Sequence, residues 1–322
     1  MPDLKMFRIA NGVATEIASG SVALESKLQR LIEANMDTVF GVRFLSSEYS
    51  TGAIHRGRID SLGIDENGSP VIFEYKRATS ENVINQGLFY LDWLVDHKAE
   101  FQLLVQERLD HEAAQSIDWS SPRLICVARD FTRYDEHAIR QIDRNVGLVR
   151  YSEYGDELLA VELVTVVSTK PTTTAPRNRR AIAVEEVTEG FAQEQAGPSR
   201  SGPTGTSVGT HLSRASDELA SLFTRFEAVA TAQGDDVQVK ENHNYFAYRR
   251  LKNFACVEVH NTTGNLLIYL KVDPDSIELV DGFSRDVRNI GHFGTGSLEL
   301  RVSDTTHWAL VEEYTAMSYA AS

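Results

Sequence analysis

The sequence predicts a mixed α/β fold in its first half, with a central sheet flanked by helices, and a smaller α+β domain in its second half. Strand-like and helix-like patterns alternate as far as residue 167, as expected for a sheet with helices on its faces. The apolar run at 124–128 is the pattern of a strand buried on both sides. A change of composition at Ser168 then separates the two halves.

That change predicts three segments: a first domain at 1–167, a linker at 168–210 and a second domain at 211–322. The linker contains several prolines and a Gly/Ser/Pro cluster at 197–205, which is typical of flexible chain. The linker also contains a basic cluster, formed by Arg177, Arg179 and Arg180. Such a cluster either keeps the linker solvated or forms a basic arm that holds phosphates, and we favour the first interpretation.

The sequence predicts the following strands and helices in the first half. Asn-Gly turns and alternating patterns predict a small hairpin with strands at 5–9 and 13–17, a strand at 39–49, and a second hairpin with strands at 58–64 and 70–75. Apolar residues at helical spacing predict helices at 21–35, about 80–98, 101–109 and 135–145. Two last strands are predicted at 146–151 and 157–166.

The second half begins with a well-patterned helix at 211–233. Apolar runs then predict strands at 237–240, 245–249, 254–260, 266–272 and 297–302, and a final helix from 305 to about 317. The stretch from Tyr245 to Phe254 mixes aromatic and basic residues, a composition that can bind nucleic acid but is more often found in an ordinary half-buried sheet.

The whole-chain composition limits the class of protein. With 322 residues, 42% hydrophobic and 24% charged, the chain is an ordinary globular protein of about two domains. The net charge of −14 counts against non-specific nucleic-acid binding, although a groove on an acidic protein can be locally basic. Cys126 and Cys256 lie in apolar runs and are predicted to be buried free thiols. No signal peptide or membrane span is recognised, so we expect a cytoplasmic protein.

The second hairpin carries the ionisable residues of interest. Asp60 lies in its first strand, and Glu74 and Lys76 lie two residues apart in its second strand. Strand side chains alternate between faces, so Glu74 and Lys76 point the same way, and pairing across the turn can bring Asp60 beside them. Two carboxylates and an ammonium on an otherwise apolar hairpin are costly unless they have a task.

This Asp and Glu-x-Lys pattern resembles the PD-(D/E)xK nuclease superfamily. Glu25 at a helix start before the hairpin, and Gln86 with Tyr90 on the helix after it, extend the resemblance to the NucS-type mismatch endonucleases over about the first half of the chain. The resemblance implies a restriction-endonuclease-like fold. The second half resembles an uncharacterised domain found after nuclease-like domains, which carries no known chemistry.

The resemblance implies a Mg²⁺ or Mn²⁺ site with Asp60, Glu74, the backbone carbonyl of Tyr75 and Glu25 as metal ligands. Lys76 would hold the scissile phosphate or the attacking water, and Gln86 would orient one of them. Carboxylate and carbonyl oxygens are the ligands that Mg²⁺ prefers. Candidate DNA-backbone contacts are Arg58, Arg77, Arg43 and Tyr90.

Each residue also has an ordinary structural interpretation. Asp60 could pair with Arg58 or Lys76, and Glu74 with Lys76 could form an exposed strand pair of little energetic value. Glu25 could simply be a helix N-terminal acid, and Glu33 competes with it for the same role. Tyr90 is more often a packing residue at such a position.

The leading hypothesis is a metal-dependent DNA endonuclease, acting in DNA repair or in defence against foreign DNA. We expect a homodimer, because cutting both strands needs two sites related by a two-fold axis. The alternative is a catalytically silent protein that keeps the nuclease fold and binds nucleic acid or a partner. The second half could bind DNA, a ligand or a protein partner, or it could dimerise.

Overall fold

The computed structural model describes residues 5–20, 25–76, 82–155, 157–168 and 207–322. The predicted linker at 168–210 therefore lies almost entirely outside the described residues. On either side of it stand two sheets with separate hydrophobic cores, one in the first half and one in the second half.

The first half is built on a mixed seven-stranded sheet. Its order is β3-β8-β7-β6-β5-β4, with β9 paired to β8; β6, β7 and β8 run parallel and the other pairs run antiparallel. A separate antiparallel pair, β1–β2, precedes it. The strands of this half are β1 (Met6–Ala10), β2 (Val13–Ile17), β3 (Ser19–Gly20), β4 (Val42–Ser50), β5 (Arg58–Asp65), β6 (Pro70–Lys76), β7 (Arg123–Ala128), β8 (Asn145–Tyr154) and β9 (Leu158–Val167).

Helices pack on both sides of this sheet. They are α1 (Glu25–Ala34), α2 (Met36–Phe40), α3 (Gly52–His55), α4 (Val83–Asp96), α5 (Lys98–Arg108), α6 (His111–Gln115) and α7 (Arg133–Ile139). Leu28 and Ile32 of α1 share one core with Phe73 of β6. Leu91 and Leu94 of α4 belong to a second core with Ile72 and Leu124. Because successive strand residues face opposite ways, β6 contributes to both cores. The predicted mixed α/β fold with flanking helices is confirmed.

The second half is an antiparallel six-stranded sheet in the order β10-β11-β12-β13-β15-β14. Its strands are β10 (Gln238–Glu241), β11 (Phe246–Arg249), β12 (Asn253–His260), β13 (Asn265–Leu270), β14 (Ser284–Asp286) and β15 (Leu298–Val302). The helices α8 (Val208–Ser213), α9 (Asp217–Thr231) and α10 (Trp308–Ala320) contribute to the core that covers one of its faces. This is the smaller α+β region expected from the sequence.

Three predicted elements differ from the structure. The helix expected at 211–233 is broken, because Ser216 accepts a hydrogen bond from Leu219 N and caps a new helix, α9. The strand expected at 39–49 begins only at Val42, because α2 extends to Phe40 and is capped by Gly41, whose φ of 61° is left-handed. The helix expected at 135–145 is α7, which begins earlier, behind a capping box at Thr132, and ends at Ile139.

Both cysteines are buried and free, as the sequence predicts. None of the helices within the described ranges is long and apolar enough to cross a membrane.

Candidate active site

The candidate site lies where β5 and β6 pair. The register matches Ser61 with Phe73 and Gly63 with Val71, and continuing it by one pair brings Asp60 opposite Glu74. The backbone N–H of Asp60 donates to Glu74 Oε1 at 3.4 Å, and the N–H of Tyr75 donates to Asp60 Oδ2 at 2.9 Å. The two predicted carboxylates therefore lie together.

Burial makes this pair of carboxylates electrostatically unfavourable. Glu74 is 0% exposed, and burial, followed by the charge of Asp60, raises the pKa of Glu74 to about 9. Burial also raises the pKa of Asp60, although the hydrogen bond from Tyr75 N and the charge of Lys76 oppose the shift. Among the described residues, Glu74 Oε2 has no hydrogen-bond partner. Such a pair holds a proton or a cation more readily than two negative charges.

Lys76 is the last residue of β6. Its positive charge opposes the rise in the pKa of both carboxyls. Its side chain is 23% exposed, and its Nζ lies 3.7 Å from Glu25 Oε1 at the first turn of α1. The structure thus brings together four of the predicted site residues, with Glu25 attached through Lys76. Within the described ranges, no group of three or more His, Cys, Asp or Glu side chains is arranged to hold a metal ion. Of the predicted acidic ligands, Asp60 and Glu74 lie in direct contact with each other, and Glu25 contacts Lys76.

Glu33, the competitor of Glu25, makes different contacts. Its Oε1 accepts hydrogen bonds from Ser61 Oγ at 2.6 Å and from Gln29 Nε2 at 3.0 Å. Gln29 Nε2 also donates to the backbone carbonyl of Asp60 at 2.9 Å. Gln29 is not among the site residues predicted from the sequence. Its position four residues after Glu25, on the same helix face, was the available signal.

Gln86 and Tyr90 lie on α4, beside the start of β5. Gln86 Nε2 donates to Tyr90 Oη at 3.4 Å, and Tyr90 Oη also accepts from Arg58 N at 3.2 Å. Tyr90 is buried in the core on the α4 side of the sheet. A Cβ on Gly57 would stand 2.4 Å from the Tyr90 ring, so the strand entrance is fitted closely around it. These contacts give Tyr90 a packing role and direct Gln86 to Tyr90.

The remaining predicted DNA contacts are dispersed. Arg58 is 70% exposed and pairs with Glu48. Arg43 is exposed on β4, and Arg77 lies outside the described residues.

Comparisons with known proteins add the following. Residues 208–320 match the family described as Domain of unknown function (DUF5655). An uncharacterized protein of Haemophilus influenzae is 23% identical over 306 residues, covering 94% of this chain and 95% of that protein.

Two solved structures are similar to part of the chain. A repair endonuclease from Pyrococcus abyssi is 21% identical, with a TM-score of 0.26, over 40% of this chain and 48% of that one. An EndoMS–double-stranded DNA complex is 22% identical, with a TM-score of 0.23, over 41% of this chain and 47% of that one. The chain thus spans about half the length of each.

Proposed function

We propose that the first half of the chain is a divalent-metal-dependent nuclease that hydrolyses phosphodiester bonds within DNA. The observation that supports this is the pair formed by half-buried Asp60 and fully buried Glu74, in which two carboxyls of raised pKa lie beside Lys76. A hard divalent cation would stabilise both carboxylates at once. It would also give Glu74 Oε2 the partner that the described residues do not provide.

The donor set suits Mg²⁺ or Mn²⁺. Mg²⁺ usually takes one or two carboxylates and completes its shell with water and substrate phosphate. Asp60, Glu74 and the backbone carbonyl of Tyr75 would hold the ion. Glu25 would act through Lys76 or through water. When bound, such an ion lowers the pKa of a coordinated water from about 15.7 toward neutrality and stabilises charge on the phosphate.

The protein residues would divide the remaining tasks. Lys76, a compact positive charge, would hold the scissile phosphate or the attacking water. Glu25 would keep the Lys76 ammonium in place. Gln29 would fix the backbone of Asp60 through its carbonyl. Gln86 would orient water or phosphate once substrate changes its contact with Tyr90.

The wider proposal is a cytoplasmic homodimer acting on DNA in repair or in defence against foreign DNA. Arg58, Arg43 and Arg77 would contact the DNA backbone. Two copies related by a two-fold axis would present one site to each strand. The second half would bind DNA, a ligand or a protein partner.

Plasmid nicking by the full chain with Mg²⁺ or Mn²⁺ tests the proposal. Asp60→Asn and Glu74→Gln should each lower the rate at least about 100-fold, because even residues that only support metal ligands contribute about 10- to 100-fold. Lys76→Met should lower it comparably.

Asp236→Asn is the matched control and should leave the rate unchanged, because Asp236 pairs with Arg250 in the second half of the chain. Nicking that survives in Asp60→Asn and Glu74→Gln would remove the pair from the mechanism.

A second candidate is a protein that retains the fold without catalysis and binds nucleic acid or a partner. The net charge of −14, which counts against non-specific nucleic-acid binding, favours its partner-binding form. Calorimetric titration with Mn²⁺ separates the two. Wild-type protein that binds DNA but neither binds Mn²⁺ nor cuts any substrate would support the silent protein.

A further inference from the structure

The turn of the β5–β6 hairpin, residues 65–69, is buried against the second half of the chain. We call these five residues the hairpin turn. Asp65, Asn67 and Ser69 within it are all buried although they are polar. Buried polar groups need hydrogen-bond partners, and the second half provides many of them.

Asp65 links the turn to both halves. Its Oδ1 accepts from the backbone N–H groups of Asn67 and Ser69, each at 2.9 Å, which closes the turn. Its Oδ2 lies 3.1 Å from Arg123 Nη1 of β7 and 3.2 Å from Arg249 Nη1 of β11. One carboxylate therefore shapes the turn with one oxygen and joins the two sheets with the other.

The side chains of Asn67 and Glu66 are held by residues of the second half. Asn67 and Asn253 exchange amide hydrogen bonds at 3.0 and 2.9 Å, and Tyr245 Oη donates to Asn67 Oδ1 at 3.0 Å. Glu66 accepts from Asn253 N at 2.8 Å and pairs with Lys271 at 2.5 Å.

Lys240 of β10 adds contacts to the end of the turn and to the loop before β7. Its Nζ lies 2.6 Å from Ser69 Oγ and 2.6 Å from Asp118 Oδ2. Strands β10 to β13 and the loops beside them thus form a polar receptor for the hairpin turn.

The geometry of a turn fixes the register of its two strands. Here that register places Asp60 opposite Glu74, and a slip of one residue would send the two carboxyls to different faces. Asp60 lies five residues before Asp65 on the same strand, about 17 Å away at roughly 3.3 Å per residue. One continuous strand therefore connects the receptor to the candidate active site.

We infer that the second half of the chain positions the Asp60–Glu74 pair by holding the hairpin turn, with Asn253, Arg249 and Lys271 as positioning residues. The inference rests on the proposed metal site for its functional meaning. Linkage makes the effect reciprocal, so metal binding at the pair also tightens the turn in its receptor.

The test uses the full chain with Asn253→Ala, which removes both amide hydrogen bonds to Asn67. Two quantities are measured: hydrogen exchange of the Tyr75 amide, whose N–H donates to Asp60, and the Kd for Mn²⁺. We expect exchange to accelerate, and the Kd to rise, by about 5- to 10-fold, at the lower end of ordinary coupling between sites. Mn²⁺ should in turn slow exchange at the Asn67 amide of the wild type.

Arg250→Met is the matched control. Arg250 pairs with Asp236 and lies over Tyr319 within the second half. This variant loses an ion pair in the same unit without removing a side-chain contact to the hairpin turn, and it should leave both quantities unchanged. Arg249→Lys, which keeps a cation near Asp65, should come closer to wild type than Arg249→Met.

If Asn253→Ala fails to fold, Lys271→Met removes a contact at the more exposed rim of the receptor and should show a smaller shift in the same direction. Unchanged Tyr75 exchange and unchanged Mn²⁺ affinity in the folded variants would overturn the inference. Equal changes in Arg250→Met would also overturn it, by showing general destabilisation. A wild type that binds no Mn²⁺ would contradict the proposed function instead, whereas the exchange measurement would still decide the positioning.

Discussion

The carboxylates at the two ends of the β5–β6 hairpin differ in how fully their charges are paired. At the turn, Asp65 is 3% exposed and meets two guanidinium groups and two backbone N–H groups. At the other end, Asp60 and Glu74 face each other, with Lys76 as the nearby cation and one Glu74 oxygen without a partner among the described residues. Removing one partner from a compensated buried ion pair is costly, whereas an uncompensated buried pair is a candidate ligand site.

The largest expected effect is at the compensated end. Asp65→Ala leaves Arg123 and Arg249 buried side by side without their shared carboxylate, and removing one partner of a buried ion pair typically costs about 3–5 kcal/mol. Chemical denaturation should show a loss of this size in the free energy of unfolding.

Asp130→Ala is the control for that measurement. It removes a carboxylate from a more exposed arginine, and it should cost no more than about 1 kcal/mol. Equal losses in the two variants would remove the distinction between the compensated end of the hairpin and an ordinary ion pair.

The uncompensated end predicts a pH dependence of the opposite kind to that of a salt bridge. The folded-state pKa of Glu74, about 9, lies above its ordinary value of 4.5, so the folded chain binds protons more tightly than the unfolded chain. The contribution of Glu74 to stability is fully present below about pH 4.5 and is lost as the pH rises toward 9, by up to about 1.4 kcal/mol per pH unit.

Denaturation without divalent ions at pH 5 and pH 8.5 measures this dependence. Glu74→Gln should be less sensitive to pH than the wild type, and it should gain relative to the wild type at pH 8.5. Mn²⁺ should restore the wild type at pH 8.5 and leave Glu74→Gln unaffected. The same pH dependence in the wild type and in Glu74→Gln would contradict a raised pKa of Glu74 in the folded chain.

The smallest expected effect concerns Gln86. Its side-chain contact is with Tyr90 Oη, not with the carboxylates, and one such hydrogen bond contributes about 1 kcal/mol. Gln86→Ala should therefore lower the nicking rate by less than about fivefold, and the exposed neighbour Asn85→Ala should not change it. A loss as large as that of Asp60→Asn would show that Gln86 reaches the reaction centre when substrate is bound.

Local patterns were enough to predict the hairpin and the elements around it. The Asn67-Gly68 turn and the two-residue period of strands place Asp60, Glu74 and Lys76 close together before any coordinates are considered. The split between α8 and α9 was also encoded locally, because Ser216 followed by Asp217 and Glu218 is a helix start. Helical periodicity continues across this break, which is why one helix was predicted.

The contacts of the hairpin turn were not accessible to such reasoning. Asp65 and Arg249, or Asn67 and Asn253, are separated by more than 180 residues. A polar turn between two strands is ordinarily solvated, so nothing in its sequence indicates burial. The roles of Gln29 and Glu33 depend likewise on how α1 crosses β5, a packing angle that sequence periodicity leaves open.

The shared turn limits how this chain can be recombined. Gly41 lies where a Cβ would stand 2.7 Å from a Glu66 oxygen and 2.8 Å from Lys252 Cβ, so even one added methyl group would wedge the two halves apart. A chimera that replaced residues 208–320 with a different sequence that matches the DUF5655 family would need a matching loop at 65–69 to seat the hairpin. The receptor and the hairpin would therefore have to be transferred together into another protein. Separating the chain between its two halves would separate the receptor from the hairpin.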